Sequence, residues 1–157
     1  MKRAIIGLMV SLLLIVSAGC RPASTEGTAT VTKVIDGDTI EVAIGGPYYY
    51  YSTYRVRYIG IDAPERNEPL FEEARQKNED LVKDKLVRLQ KDVSEIDRHG
   101  RLLRYVYVDE TFVNAELVKA GLARAVSYPP DTEYQDILSQ LQEEAKEAKR
   151  GSWAELV

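Results

Sequence analysis

The sequence predicts an α+β fold in which an antiparallel sheet closes on itself. Three observations predict it. β-Branched residues crowd positions 28–35, and apolar side chains alternate along 39–44, as they do in half-buried strands. Asp36-Gly37-Asp38 lies between these stretches and carries the Asp-Gly signal of a hairpin turn. Strands are then followed by a helix, more strands and further helices, which is the order of an α+β domain.

The later elements follow from their periodicity. We expect one strand over 55–61, with Arg55, Arg57, Ile59 and Ile61 on one face, running from the core to the rim of a cleft. Helix formers and β-type patterns then predict a helix over 70–83 and strands over 85–90 and 102–108.

Two more helices are predicted near the C-terminus. Asn114 is expected to cap a brief helix that Gly121 ends. Thr132 and Gln135 form a capping-box pattern that opens the final helix, and Trp153 is placed to fold back onto the core.

An aromatic run, Tyr48–Tyr51, follows the break at Gly45-Gly46-Pro47. Tyrosine is favoured in strands, and successive bases can also stack on aromatic rings. We favour an extended hairpin arm over a nucleobase platform.

The first residues indicate an export signal. A cationic start at 1–3 precedes an apolar run over 4–16, which is too short to span a bilayer comfortably, and small residues follow it. The polar stretch 20–27 has nothing to bury. We therefore predict a signal peptide (1–19), a tether (20–27) and one folded domain (28–157), and we expect the mature protein to act outside the cytoplasm.

Cys20 is the only cysteine, so no intramolecular disulfide can form. Its position after Ala18-Gly19 resembles a bacterial lipoprotein processing box, in which the cysteine becomes the lipidated N-terminus. Ser17 stands where such boxes most often carry leucine, which leaves ordinary signal cleavage as the alternative. We expect lipidation at Cys20, and with it a membrane anchor.

The charge balance argues against binding of nucleic acid by a general positive field. The full chain has a net charge of −4, and loss of residues 1–19 removes two cations and no acid, giving −6. Since phosphate affinity comes from cationic contacts, any polyanionic substrate must be held by a local cluster or by a metal.

Carboxylates recur at two turns. Asp36 and Asp38 lie in the first turn, and Asp62 and Glu65 bracket an Ala-Pro corner. Carboxylates from separate turns are the hard oxygen ligands that Ca²⁺ prefers. A single histidine, His99, and a single cysteine argue against zinc.

Two arginines accompany these acids. Arg57 lies five residues before Asp62, and Arg101 ends the turn 97–101. Guanidinium groups bind phosphate oxygens bidentately and stabilise charge that grows on them. Each of these residues alone is explained by a turn or a surface ion pair, but the ordered set is not.

At these residues the chain resembles the staphylococcal nuclease (thermonuclease) family. The resemblance covers essentially 28–153 and is carried by the following stretches: Ile35–Thr39, Arg57–Glu65, Asp97–Arg101, Val113-Asn114, Gly121–Ala123, the final helix and Trp153. It implies an OB-fold five-stranded β-barrel with three α-helices. It also implies Ca²⁺-dependent hydrolysis of DNA and RNA that leaves 3′-phosphate ends, by a monomer with no protein partner.

The resemblance also implies roles for individual residues. Asp38 and Asp62 match side-chain ligands of the Ca²⁺, and Ala63 matches a backbone-carbonyl ligand. Glu65 matches the carboxylate that acts on the attacking water. The remaining matches are the phosphate-binding pair Arg57 and Arg101, and Asp36, an acid close to the metal.

The chain departs from the family pattern in three respects. The segment between Gly46 and Arg55 is longer, the net charge is negative, and only Tyr128 remains of the base-contacting tyrosines. Two alternatives stay open: a non-catalytic OB-fold module that binds nucleic acid, and an envelope lipoprotein with a structural role.

Overall fold

The computed structural model describes residues 27–45 and 51–154. Eight strands, three α-helices and a 3₁₀ turn follow one another along this part of the chain. The strands are β1 Gly27–Val34, β2 Thr39–Gly45, β3 Tyr51–Tyr58, β4 Ile61–Asp62, β5 Leu86–Gln90, β6 Leu102–Val108, β7 Thr111–Phe112 and β8 Arg124–Ala125. The helices are α1 Phe71–Val82, α2 Val113–Lys119 and α3 Gln135–Glu147, followed by the 3₁₀ turn Gly151–Trp153.

Five of the strands form a closed barrel. Antiparallel pairing joins β3 to β2, β2 to β1, β1 to β5 and β5 to β6. A parallel pairing of β3 with β6 then completes the circle. The predicted α+β class and the five-stranded barrel with three helices are therefore confirmed.

The barrel interior is filled by the apolar positions that alternate along its strands. The fully buried side chains there include Ile40, Val42, Val56, Val87 and Val106. Because successive strand residues point to opposite faces, the charged residues next to them are left at the barrel surface and its ends. Removal of this apolar area from water stabilises the barrel by about 25 cal/mol per Å² buried.

The parallel seam between β3 and β6 positions both predicted arginines. Arg57 pairs with Leu103 in the register of this seam. Arg101 comes immediately before β6. The seam therefore brings two residues that are distant in sequence to the same end of the barrel.

The predicted single strand over 55–61 is wrong. β3 ends at Tyr58, and Gly60 has a φ of +78°, a conformation that favours glycine. A Cβ at Gly60 would also lie 2.7 Å from the Leu138 side chain. The chain turns here, so Asp62 lies on the separate strand β4 and not on the strand that carries Arg57.

Asn114 does not cap a helix, contrary to the prediction. It lies inside α2 and is completely buried. Its side chain accepts a hydrogen bond from the Val106 amide at 3.0 Å and donates one to the Ile59 carbonyl at 2.8 Å. Asn114 thus joins α2 to β6 and to the segment that follows β3.

The predicted capping box of α3 is also absent. Tyr134 holds the N-cap position, and no side chain caps the helix. Thr132 instead accepts a hydrogen bond through its backbone carbonyl from the Gln135 amide, at 3.1 Å. Trp153 is half-buried, with Lys146 Nζ 5.0 Å from its ring centroid.

Several predictions concern residues outside the described part of the chain. They are the signal peptide, Cys20, the tether up to residue 26, and Tyr48 to Tyr50. Gly27, predicted as the last residue of the tether, begins β1, and Tyr51 begins β3. Within the described residues, no helix combines the length and apolar character needed to cross a membrane.

Candidate functional site

The first acidic turn is braced by its own hydrogen bonds. The Asp36 carboxylate accepts the backbone N–H of Asp38 at 3.0 Å. Asp38 is 3% exposed, and its Oδ1 accepts the Thr39 hydroxyl at 3.1 Å. An Asp side chain that bonds backbone two residues on stabilises a turn, so the sequence Asp-Gly-Asp-Thr fixes the position of Asp38.

The same carboxylate also holds the Ala-Pro corner. Asp38 Oδ2 accepts the backbone N–H of Ala63 at 2.6 Å. The Ala63 carbonyl accepts no hydrogen bond from the rest of the described chain. The structure therefore brings together two of the three predicted metal-binding residues.

Gly37 allows this close approach. A Cβ at Gly37 would lie 2.6 Å from Ala63 Cβ and 2.9 Å from Ala74 Cβ. Both distances are shorter than side-chain atoms tolerate. The turn, the corner and α1 thus pack against one another at a position without a side chain.

Arg57 joins the two predicted acidic ligands. Its guanidinium forms an ion pair with Asp38 and a second one with Asp62 Oδ1 at 2.9 Å. Only 15% of the Arg57 side chain is exposed, so these ion pairs are poorly screened. The positive charge lies between two carboxylates, where it offsets their mutual repulsion.

A further arginine, Arg124, contacts Asp62 from β8. β4 and β8 pair in antiparallel register with Asp62 opposite Arg124. Arg124 Nη2 lies 3.3 Å from Asp62 Oδ2. Arg124 was not predicted as a site residue, because the pairing of two-residue strands leaves no periodic signal in the sequence.

Arg57, Arg101 and Tyr128 line one cleft of about 490 Å³, the arginine cleft. Arg57 enters it from β3 and Arg101 from the turn before β6, and 63% of Tyr128 is exposed. The cleft also contains Arg98 and His99, which the sequence analysis named only as members of the turn 97–101. Arg98 Nε donates a hydrogen bond to His99 Nε2 at 3.0 Å.

Asp97 holds Arg101 in place. Arg101 Nε lies 2.7 Å from Asp97 Oδ2, and the Arg101 amide donates to Oδ1 at 3.0 Å. Burial acts to raise the pKa of Asp97, but these bonds and one from the His99 amide hold that pKa below its ordinary value. Since Arg101 uses Nε here, its two terminal nitrogens remain for a phosphate.

The charges of Arg57 and Arg101 both act on the Asp36 carboxyl. Burial raises the pKa of Asp36 above its ordinary value, against the opposing effects of hydrogen bonds from Thr39 and the charges of Arg57 and Arg101.

Glu65 stands apart from these contacts. Its side chain is exposed and does not line the cleft. Its backbone is fixed by Glu68, whose carboxylate accepts the Glu65 N–H at 2.8 Å and whose own N–H donates to the Glu65 carbonyl at 2.9 Å. The structure thus holds the chain at Glu65 while leaving its carboxylate accessible to water.

The donor atoms at the corner suit a hard divalent cation. Over residues 27–45 and 51–154, no group of three or more His, Cys, Asp or Glu side chains is arranged as a metal site. Two carboxylates and a carbonyl, from Asp38, Asp62 and Ala63, are nevertheless oxygen donors of the kind that Ca²⁺ takes together with water. In this structure the positive charge between the two carboxylates is the guanidinium of Arg57.

The fold and the site together define an OB-fold barrel protein with a cleft of arginines beside carboxylates. The family model for staphylococcal nuclease homologues matches residues 55–155. The chain is 38% identical over 144 residues to a thermonuclease of Staphylococcus hyicus, covering 88% of this chain and 82% of that protein. The chain therefore belongs to the staphylococcal nuclease homologue family, as its motifs predict.

Two other relatives show how the similarity is distributed. A micrococcal nuclease of Shigella flexneri is 30% identical over 167 aligned positions, covering 99% of this chain and 90% of that protein. The SPbeta prophage-derived endonuclease YokF of Bacillus subtilis is 38% identical over 133 residues. This chain spans 43% of the length of that endonuclease.

Proposed function

We propose that this protein is a Ca²⁺-dependent nuclease that hydrolyses phosphodiester bonds of DNA and RNA and leaves 3′-phosphate ends. Its family membership and the nuclease names of its relatives support the activity. The observation that carries the proposal is the contact of one arginine, Arg57, with both Asp38 and Asp62. Arg57 also lines the cleft that holds Arg101.

The arginines bind the substrate phosphate in this proposal. The cleft walls supply the planar guanidinium groups of Arg57 and Arg101, which match phosphate oxygens bidentately. Both stay charged at any physiological pH, so they stabilise the negative charge as it shifts between phosphorus oxygens during the reaction. Tyr128 at the cleft edge offers its exposed ring to a base.

Glu65 acts on the water. Its exposed carboxylate orients the attacking water and accepts a proton from it, while the Glu68 hydrogen bonds hold the chain at this position. Water attacks phosphorus in line with the 5′-oxygen, a P–O bond to the water oxygen forms as the P–O5′ bond breaks, and the phosphate stays on the 3′-oxygen. The departing 5′-oxygen takes up a proton from solvent water, which balances the proton accepted by Glu65.

Asp38, Asp62 and the Ala63 carbonyl would hold the Ca²⁺, and Asp36 would adjust the charge behind them. When bound, the ion lowers the repulsion between water and phosphate. Arg57 now pairs with both carboxylates, and its guanidinium would turn to the substrate phosphate where these carboxylates instead hold the ion.

One assay tests the proposal directly. The purified protein is incubated with single- and double-stranded DNA and RNA, with Ca²⁺ or with chelator, and the product ends are identified. We expect Ca²⁺-dependent cleavage to 3′-phosphate ends. Oligonucleotide binding without cleavage would favour a non-catalytic OB-fold module instead.

We also propose that the protein is exported and anchored to the membrane by a lipid at Cys20, and that it works as a monomer. The signal pattern of residues 1–19 and the unpaired cysteine support export and anchoring. Replacement of Cys20 with Ala should release the protein from the membrane fraction; an unchanged distribution would contradict the anchor. Light scattering of the purified protein tests the monomer.

A further inference from the structure

A second groove begins at Asp62. It has a volume of about 380 Å³, and its lining includes Asp62, Pro64, Pro69, Arg124 and Trp153. Asp62 Oδ1 contacts Arg57, which lines the arginine cleft, and Oδ2 contacts Arg124, which lines this groove. Asp62 is therefore the link between two adjoining depressions of the surface.

Arg124 has unused capacity to bind an anion. Its side chain is 64% exposed, and its one polar contact within the described residues is the 3.3 Å contact with Asp62. That distance exceeds the 2.7–2.9 Å typical of a strong charge-assisted hydrogen bond. A guanidinium carries five N–H donors, so most of the donors of Arg124 are available to a ligand.

The remaining lining suits a flat ring. The indole ring of Trp153 is half-buried beside the groove, and Pro64 and Pro69 add apolar surface. Lys146 covers one face of the Trp153 ring and is paired with Glu143 at 2.8 Å, which leaves the rest of the indole to a ligand. The groove also contains the acid Glu68, but its carboxylate already accepts the Glu65 N–H at 2.8 Å.

An exposed guanidinium next to aromatic and proline surfaces matches the chemistry of a nucleotide, which combines a phosphate with a flat base. We propose that this groove is a second nucleotide subsite. Arg124 binds the phosphate next to the scissile one, and Trp153 with the two prolines packs against the attached nucleoside. The proposal rests on the proposed nuclease function, because the subsite would bind the part of a substrate strand that extends past Asp62.

The test combines protein variants with modified substrates. Each substrate is a single-stranded oligodeoxynucleotide with one cleavable phosphodiester, and its other linkages are cleavage-resistant phosphorothioates. In a series of such substrates, one linkage near the cleavable bond is replaced by a neutral methylphosphonate, at a different position in each. KM and kcat are measured for the wild type, Arg124→Ala, Arg124→Lys and a control, Lys83→Ala, which removes an exposed cation at the end of α1. Melting temperatures check that the variants fold.

We expect a neutral linkage at one position beside the scissile bond to raise the wild-type KM about tenfold, the usual effect of losing a hydrogen bond to a charged group. Arg124→Ala should raise KM by a similar factor on the fully charged substrate. In this variant, a neutral linkage at that position should no longer change KM. Arg124→Lys should keep most of the affinity, and Lys83→Ala should match the wild type.

Two results would overturn the subsite. In the first, Arg124→Ala raises KM by the same factor on every substrate, whichever linkage is neutral. The other is a fall in kcat that is equal on all substrates, which would make Arg124 a positioning residue for Asp62. If the wild type cleaves none of the oligonucleotides with Ca²⁺, the proposed function fails, and the subsite fails with it.

Discussion

The Asp38 carboxylate accepts the backbone N–H of Ala63 at 2.6 Å, so the first acidic turn and the Ala-Pro corner are one unit. Asp38 also pairs with Arg57 and is almost completely buried. A buried carboxylate is tolerated because these partners satisfy it. The residue predicted to bind Ca²⁺ is thus also a structural tie between β2 and the corner.

Substitutions of Asp38 should separate these two roles. Asp38→Ala leaves the Ala63 N–H without a partner, at a cost of about 1–3 kcal/mol in the free energy of unfolding. Asp38→Asn keeps one acceptor oxygen and should cost less, while both variants lose Ca²⁺ affinity because the charge is gone. Urea denaturation and calorimetric Ca²⁺ titration measure the two effects. Equal stability of Asp38→Ala and the wild type would refute the structural tie.

Gly37→Ala should damage the corner through packing alone. The added methyl group would overlap Ala63 and Ala74, and overpacking of this kind costs about 1–3 kcal/mol. We expect a lower melting temperature and weaker Ca²⁺ binding, because the Ala63 carbonyl is displaced. Gly27→Ala is the matched control, since its Cβ would meet nothing within 4 Å. A Gly37→Ala protein as stable as the control would contradict this packing.

Glu65→Gln should remove activity and leave the fold intact. The side chain is exposed, and a general base contributes about 10²–10⁴-fold to the rate. We therefore expect kcat on DNA to fall by about that factor with no change in melting temperature. Glu73→Gln, an exposed acid on α1, is the control. Wild-type turnover by Glu65→Gln would remove this residue from the mechanism.

Glu68 should influence turnover by positioning Glu65. Glu68→Ala removes the acceptor of the Glu65 N–H, and small misplacements of a catalytic group lower rates by up to about 100-fold. We expect kcat to fall about tenfold with little change in KM. Glu68→Gln keeps an acceptor oxygen and should restore most of the rate. If the Gln variant is as slow as the Ala variant, the charge of Glu68 matters and not its hydrogen bond.

Asp97 should make the stability depend on pH in the acidic range. Burial acts to raise the pKa of Asp97, but hydrogen bonds from Arg101 and His99 hold that pKa below its ordinary value in the folded protein. A carboxyl with a depressed pKa adds stability above its unfolded pKa and loses it as the pH falls through the folded pKa. The wild type should therefore be more stable than Asp97→Asn at about pH 6, and the difference should shrink below about pH 4.

Urea denaturation at a series of pH values measures this difference. Asp109→Asn is the control, because Asp109 is an exposed acid in the turn between β6 and β7. A stability difference between the wild type and Asp97→Asn that stays constant down to pH 2 would show that the ion pair with Arg101 adds nothing.

The barrel and much of the site were predictable because their signals are local. Alternation along β1 and β2 and the Asp-Gly turn between them depend on neighbouring residues. The motif residues Asp38, Arg57 and Asp62 come together as the ordered set suggested. Each of these residues lies in a short motif that can be read from neighbouring positions in the sequence.

The features that escaped prediction depend on contacts between distant residues. The turn at Gly60 is set by the approach of Leu138, and Asn114 is buried because two distant backbone groups need partners. Arg124 reaches Asp62 only through the register of two very short strands. None of these relations leaves a periodic pattern in the sequence.

The parallel seam between β3 and β6 has a consequence for when the site comes into existence. The two arginines proposed to bind phosphate belong to opposite sides of this seam, and such pairing between distant segments forms slowly. A chain with an open barrel would thus carry every proposed catalytic residue and still be inactive. Closure of the seam, and not synthesis of the chain, would therefore set the moment at which the proposed nuclease becomes active.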